Sequence, residues 1–321
     1  MVDGHDGSTT FVALHIGAGT HTKKLDDAYV RFIRSLLAVG KTELERGDAA
    51  SDVAVHLTSL LEDSPLSNAG YGSNLNINAE VECDAAIMTT ESSGAVTGLE
   101  TALNPIQVAD RVRTSGDTAL SLGRLSPSML FGAGAEAFAR ACGIPVSDLK
   151  SPQAVQRHRY WRDRLDSADG LATFPCDTCG VICLDKEQKL AVTSSSGGIS
   201  LKQPGRIGPA AVIGAGLWAE AEVAVTCSGR GETILQTCMA RTRALHIQFS
   251  TPFECAAETG YISVQVFSDS ISVEFVHSTQ SFAVGYEDVA LMSQRTQQGQ
   301  TVFGGRSYPR HRPLREKQLL I

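Results

Sequence analysis

No window of this 321-residue chain approaches the roughly 18 consecutive apolar residues of a membrane-spanning helix. Its opening, MVDGHDGSTTFVALHIGAG, lacks the positively charged stretch and long apolar run of a secretory signal. Neither a span nor a signal is therefore expected. Basic residues are in deficit: 28 Lys and Arg against 35 Asp and Glu leave a formal net charge of -7. That balance excludes attraction of the whole surface to nucleic acid or anionic membrane, so any such contact would have to be local. Zinc-ligand pairing is missing too, for C-x-x-C occurs once and H-x-x-x-H not at all. The eight cysteines are scattered through apolar stretches of a chain too large to need disulfide staples. They fit buried thiols in a reducing cytosol or nucleus, and no metal or cofactor is expected.

What is present is apolar material for one large domain or two small ones, at 42% hydrophobic residues. Phe11 to Ile16 is a β-type run delivered into Gly17-Ala18-Gly19. Helices are predicted near 24–46 and 50–62, the second stopped by Ser64-Pro65, and again at 105–114 and 129–141. Between them SNAGYGSNLNINAEVECDAAIM is a Gly/Asn-rich loop leading to a strand near 80–88. Such a loop supplies positive-φ positions and exposed amide donors that could line a site, or it is a plain surface loop.

From 145 to 177 the chain turns polar and locally basic, and reads as a solvated linker with a helical turn or more. Its run Arg157-His158-Arg159-Tyr160-Trp161-Arg162-Asp163-Arg164 is a solvated helix or, less simply, a nuclear-import or phosphate-binding patch. Beyond it, 178–184 and 190–195 around the turn 185–189 form a hairpin pattern. A strand at 223–226, a helix at 234–245 and a meander at 261–267, 271–276 and 282–286 follow. Strand, helices, linker, hairpin, helix and strands in that order predict an α+β architecture, with helices layered on antiparallel sheet.

Two chemistries compete in FPCDTCGVIC at 174–183. As Cys176-Asp177-Thr178-Cys179 it is a redox spacing, but a redox C-x-x-C sits at a helix N-terminus, whose dipole lowers the thiol pKa. Here the second cysteine enters a strand. Alternatively Thr178 is a nucleophile at a sheet edge. A threonine hydroxyl needs an adjacent base, and its own α-amino group, with pKa about 8, serves once the Asp177–Thr178 bond is broken. A polar linker upstream and an ordered strand downstream suit such a cleavage.

HIGAG at 15–19, SNAGYGSNLN at 67–76, ECDAAIM at 82–88, DTCG at 177–180, SSSGG at 194–198, PGRIG at 204–208 and CSGRGE at 227–232 stand in one order. In that order and spacing, across about residues 10 to 300, the chain resembles the type 2 asparaginase family of N-terminal-nucleophile hydrolases, and within it the threonine aspartase (taspase) branch. The resemblance implies an αββα sandwich made as a precursor that cuts itself between Asp177 and Thr178. The products are an α segment, 1–177, and a β segment, 178–321, which fold as one domain. It also implies that Thr178 attacks the substrate, that Ser196 tunes the nucleophile, and that Ser228 and Gly229 form the oxyanion pair. Asn68 is implied to stabilise the intermediate, and Arg206, with Gly231 in its motif series, to bind a substrate carboxylate. Taken singly, Arg206 would be a surface ion pair and Ser196 and Ser228 ordinary turn residues.

Where asparaginases carry an aspartate for the substrate's free α-amino group, this chain has Pro209. The resemblance therefore points to a threonine-type endopeptidase that cuts proteins after aspartate, present as an αβ heterodimer or a pair of them in cytosol or nucleus. Transcription and chromatin regulators are its implied substrates. The alternatives are an isoaspartyl peptidase/L-asparaginase, or an inactive homologue serving as a binding scaffold. The last is motivated by contracted segments at 218–226 and 245–261. The tail after Gly305 matches nothing in the family pattern.

Overall fold

A computed structural model describes residues 9–116, 120–166, 177–295, 297 and 300–310. Strand β1 (Phe11–Gly19) is buried throughout. Its side chains alternate between two cores. Phe11 and Ala13 face one, and Val12, Leu14 and Ile16 the other. Strand β5 (Cys179–Leu184) does the same, with Ile182 and Leu184 on the first face and Val181 and Cys183 on the second. A strand apolar on both faces can only be interior. A one-residue slip would exchange the two sets, so the register is fixed by packing.

The remaining strands are β2 (Cys83–Thr89), β3 (Ser93–Leu99), β4 (Met129–Phe131), β6 (Leu190–Ser196), β7 (Leu217–Ala219), β8 (Val223–Gly229), β9 (Thr259–Val266), β10 (Ser270–His277), β11 (Ser281–Tyr286), β12 (Val289–Gln294) and β13 (Val302–Pro309). They form an eight-stranded sheet ordered β12-β11-β1-β5-β6-β2-β3-β4 and a five-stranded sheet ordered β13-β10-β9-β8-β7. The sheets stack through Phe11, Ile182, Val192, Ile262, Val264 and Phe275.

Helices α1 (Asp26–Arg46), α2 (Ala50–Glu62), α3 (Pro105–Ser115) and α4 (Gly132–Ala141) cover the outer face of the large sheet. In α1 the inward residues Tyr29, Ile33, Leu36, Leu37, Gly40 and Leu44 recur at three- and four-residue steps. Helices α6 (Gly231–Thr237) and α7 (Met239–Gln248) cover the small sheet with Ile234, Met239, Ala240, Ala244 and Ile247. Burying each Leu or Ile contributes roughly 1.5–3 kcal/mol. The α+β prediction holds, as two packed sheets with helices outside.

Several expectations need correction. The stretch from 145 is not a solvated linker: α5 (Pro152–Asp166) spans 15 residues, and Leu149, Ala154 and Val155 pack against the α3 and α4 core. Residues 167–176, including Cys176, lie outside the described residues. The expected meander is divided between sheets, because β9 and β10 pair in the small one whereas β11 crosses to pair with β1. The helix at 234–245 is two, separated at Cys238, whose φ of 44° is left-handed. The unmatched tail begins as β13, paired to β10 as far as Pro309. The contracted segments leave the ladder intact, since Glu220 N donates to Val223 O at 2.8 Å to close the β7–β8 hairpin.

Candidate active site

Five of the seven motifs converge where β1, β5, β6 and β8 meet the loop 67–76, and the other two, on β2 and at 204–208, meet beside them through Gly208 N and Asp84 Oδ2. That loop is not a plain surface loop: Asn68, Ala69, Gly70, Ser73, Asn74 and Asn76 are buried. It is fastened to the SSSGG turn, for Gly197 N donates to Asn68 O at 2.7 Å, and Asn74 Nδ2 to Gly198 O at 3.0 Å. A Cβ on Gly197 would lie 2.5 Å from Ser73 Cβ, so glycine is what lets the two loops close.

Thr178 immediately precedes β5 and is buried. The carbonyl oxygen of Asp177 accepts from Asn68 Nδ2 at 2.6 Å and from Ser196 Oγ at 3.1 Å. The Thr178 amide donates to Ser228 Oγ at 3.1 Å, and the same oxygen accepts from Ala18 N at 2.8 Å. Both ends of the Asp177–Thr178 peptide bond are thus held. Asn68 is itself fixed, its Nδ2 also on Gly198 O at 2.8 Å and its Oδ1 accepting from Asn74 N at 2.7 Å.

Strand alternation sorts the three serines. Ser196 turns to Asp177, whereas Ser195 turns the other way and donates to Glu62 Oε1 at 2.6 Å. Burial pushes the Glu62 carboxyl up to about 8, against the opposing hydrogen bond from Ser195. Asn68, Ser196, Ser228 and Thr178 are therefore brought together as the sequence expected, in a different pairing. In the intact chain Ser196 and Asn68 hold the carbonyl, and Ser228 holds the nitrogen. Gly229 takes a φ of 119°, and a Cβ there would lie 2.5 Å from Glu258 O, so it serves the β8–β9 junction.

Arg206 stands apart. Its Nε and Nη2 donate to Glu232 Oε1 at 3.0 and 2.8 Å. It lies over Gly198, Gly208 and Gly231, and a Cβ on Gly231 would be 2.5 Å from Arg206 Nη2. Gly231 thus belongs to the bed of Arg206. Although partial burial pushes the Glu232 carboxyl up, its bond to Arg206 and that residue's charge bring it below the usual range. Beneath the same turn, Asp84 Oδ2 accepts from Gly208 N at 2.9 Å, and buried Lys202 donates to Glu82 O at 2.6 Å.

Sequence reasoning missed His15 and Thr226. His15 is buried, its Nε2 lies 3.1 Å from Thr226 Oγ1, and burial pushes its pKa down to about 3, so the ring is neutral. A Cβ on Gly180 would be 2.7 Å from His15 Nε2, which explains the glycine of DTCG. Cys179 is a buried thiol whose Sγ donates to Ser195 O at 3.3 Å, and burial pushes its pKa up. That is the reverse of redox activation.

Comparison with known proteins agrees with this geometry. The isoaspartyl peptidase/L-asparaginase of Bos taurus is 34% identical over 255 residues, covering 77% of this chain and 79% of the relative. The plant-type L-asparaginase of Pyrococcus furiosus is 32% identical over 266 residues, covering 77% and 82%. The isoaspartyl peptidase/L-asparaginase of Danio rerio is 28% identical over 300 residues, covering 91% and 94%. None of these three bears the name threonine aspartase. The family model described as Asparaginase matches residues 8–300, and the chain belongs to that type 2 asparaginase family of N-terminal-nucleophile hydrolases.

Proposed function

We propose that the chain is a self-processing threonine hydrolase whose mature form is an endopeptidase cutting polypeptides after aspartate. The observation that carries this is the hold on its own Asp177–Thr178 bond, with two donors on the carbonyl and one acceptor on the nitrogen. Thr178 Oγ adds to the Asp177 carbonyl carbon, and Asn68 and Ser196 stabilise the oxyanion. The C–N bond then breaks, the hydroxyl proton ends on the Thr178 nitrogen, and an aspartyl ester remains on Oγ. Water hydrolyses that ester, releasing the Asp177 carboxylate and restoring the Thr178 hydroxyl, and the α-amino group freed by the C–N cleavage serves that hydroxyl as base in later turnovers.

Pro209 supports a substrate without a free α-amino group, because it is buried where the resemblance places the aspartate that would bind one. The two segments stay together as an αβ pair, since β1 lies between β11 and β5 and β6 pairs with β2 within one sheet. Its implied protein substrates, transcription and chromatin regulators, and its place in cytosol or nucleus rest on resemblance alone.

A second reading, isoaspartyl peptidase/L-asparaginase, is favoured by the names of the relatives and by Arg206. Glu232, half exposed, occupies Arg206 as the α-carboxylate of a small substrate would, and can swing away to solvent. Intact mass tests the processing: wild type separates at Asp177–Thr178 and Thr178→Ala does not. Incubation of the mature protein with an internal-aspartate peptide, L-asparagine and β-aspartyl dipeptides tests the substrate. Preference for the dipeptides refutes the endopeptidase.

A further inference from the structure

The Asp177 side chain enters a cavity of about 460 Å³ lined by His21, Tyr29, Asn68, Asn74 and Arg157, and not by Arg206. Its floor is backbone: a Cβ on Gly17 would lie 2.5 Å from Asp177 Cβ, and one on Gly19 would overlap Asp177 Oδ1. Two basic side chains, His21 and Arg157, border it. His21 Nε2 lies 4.0 Å from Asp177 Oδ1. The His21 backbone N–H and Nδ1 both meet Ser281 Oγ, at 3.0 and 2.8 Å, and that hydroxyl donates to Gly19 O at 3.3 Å. With the Ser281 proton so engaged, Nδ1 is the donor, and Nε2 donates to the carboxyl only when the ring takes a second proton.

Arg157 comes from α5, the segment the sequence presented as linker. Its Nη2 donates to Gly72 O at 2.8 Å and its Nε to Asn74 Oδ1 at 3.3 Å, which pins the guanidinium beside the cavity. Asp177 Oδ1 is buried without a hydrogen-bond partner among the described residues. Burial pushes the Asp177 carboxyl up, and the charges of His21 and Arg157 pull against it.

The aspartyl ester formed in self-cleavage is the same chemical species as the acyl-enzyme formed from any substrate cut after aspartate. In both, the carbonyl carbon is bonded to Thr178 Oγ and needs the same donors. The P1 residue, the one before the cut, then has its side chain directed where Asp177 points now. We propose that this cavity is the P1 aspartate subsite, with Gly17 and Gly19 as its floor and His21 and Arg157 reading the carboxylate. The assignment rests on the endopeptidase reading and deepens it.

The test gives peptides differing only in Asp or Asn at P1 to mature wild type, Arg157→Gln, Arg157→Lys and Arg206→Gln. Wild type is expected to favour Asp roughly 10- to 100-fold in kcat/KM, the range of a charge-assisted hydrogen bond or two. The ratio should collapse in Arg157→Gln and survive in Arg157→Lys and Arg206→Gln. Parallel loss of Asp and Asn cleavage in Arg157→Gln, or a collapse confined to Arg206→Gln, overturns the assignment. Self-cleavage supplies a reading independent of peptide turnover. Asp177→Asn is expected to slow it about tenfold in wild type and to have no further effect in Arg157→Gln. An equal Asn penalty in both backgrounds overturns the subsite. Wild type that cuts β-aspartyl dipeptides but no internal-aspartate peptide removes the endopeptidase reading, and the self-cleavage cycle then judges the pocket alone.

Discussion

Replacing Ser196 by alanine removes one of two donors on the Asp177 carbonyl, the Oγ at 3.1 Å, and leaves Asn68 Nδ2 at 2.6 Å. A preorganised donor of this kind is worth about 10²–10³ in rate, or roughly 3–4 kcal/mol. The longer bond places Ser196 near the lower end, so self-cleavage should slow about 100-fold. Ser196 Oγ also accepts from Gly198 N at 3.0 Å, and losing that bond costs stability by about 1 kcal/mol. Ser195→Ala is the paired control, because one residue back the strand points its hydroxyl to Glu62. That change should lower Tm while leaving the cleavage rate within about threefold of wild type, since it touches neither end of the scissile bond. The assay is the fraction of full-length chain by intact mass after in vitro synthesis. Ser196→Ala cleaving at the wild-type rate, or Ser195→Ala slowing as much, would refute the assignment of the carbonyl donors.

Asn68→Asp exchanges the shorter donor for an anion facing two carbonyl oxygens, and should abolish self-cleavage while Asn74 N keeps its acceptor; detectable processing by mass counts against it. Glu62→Gln should flatten the pH dependence of Tm. With a folded pKa of about 8 against the ordinary 4.5, the wild-type carboxyl is fully stabilising only below 4.5. It loses up to about 5 kcal/mol as pH rises to 8, and nothing further above that. Parallel Tm curves for wild type and Glu62→Gln between pH 5 and 8.5 would contradict this. Gly180→Ala puts a methyl group against His15 Nε2 and Thr226 Oγ1, and should cost roughly 1–3 kcal/mol by overpacking, measured by denaturant melts. A wild-type midpoint would show that the two sheets part more easily there than their packing implies.

The sheet-forming residues were legible wherever local pattern and tertiary role coincide. Phe11 to Ile16 and the 178–195 hairpin are apolar on both faces, and become the central strands. The site residues were legible through spaced motifs, because Gly180, Gly197 and Gly231 each mark a close approach that no other residue permits. What stayed hidden depends on long-range pairing. Nothing local tells β11 to leave β10 and join β1, and β13 is a half-exposed edge strand with no apolar alternation to announce it. Arg157 was obscured by its neighbours: in a basic run it reads as solvated charge. Only the packing of Ala154 and Val155 turns that face of α5 toward the loop at Gly72 and Asn74.

Burial of Thr178 bears on how the mature enzyme would work. The position is 4% exposed, so an α-amino group released there enters a site with little water to solvate an ammonium. Desolvation disfavours the charged form, and the ordinary α-amino pKa of about 8 should fall. His15 adds no opposing charge, being neutral with its pKa pushed down to about 3 by burial, and Ser228 Oγ offers the nitrogen a neutral acceptor. A base must be neutral to work, so kcat/KM should rise with pH through this lowered pKa and level off before pH 8. The acid limb of the pH profile, measured on the mature protein, checks it. A limb centred at or above 8 would mean that the amine is solvated, and that a tightly packed Thr178 is not how this site keeps its base unprotonated at neutral pH.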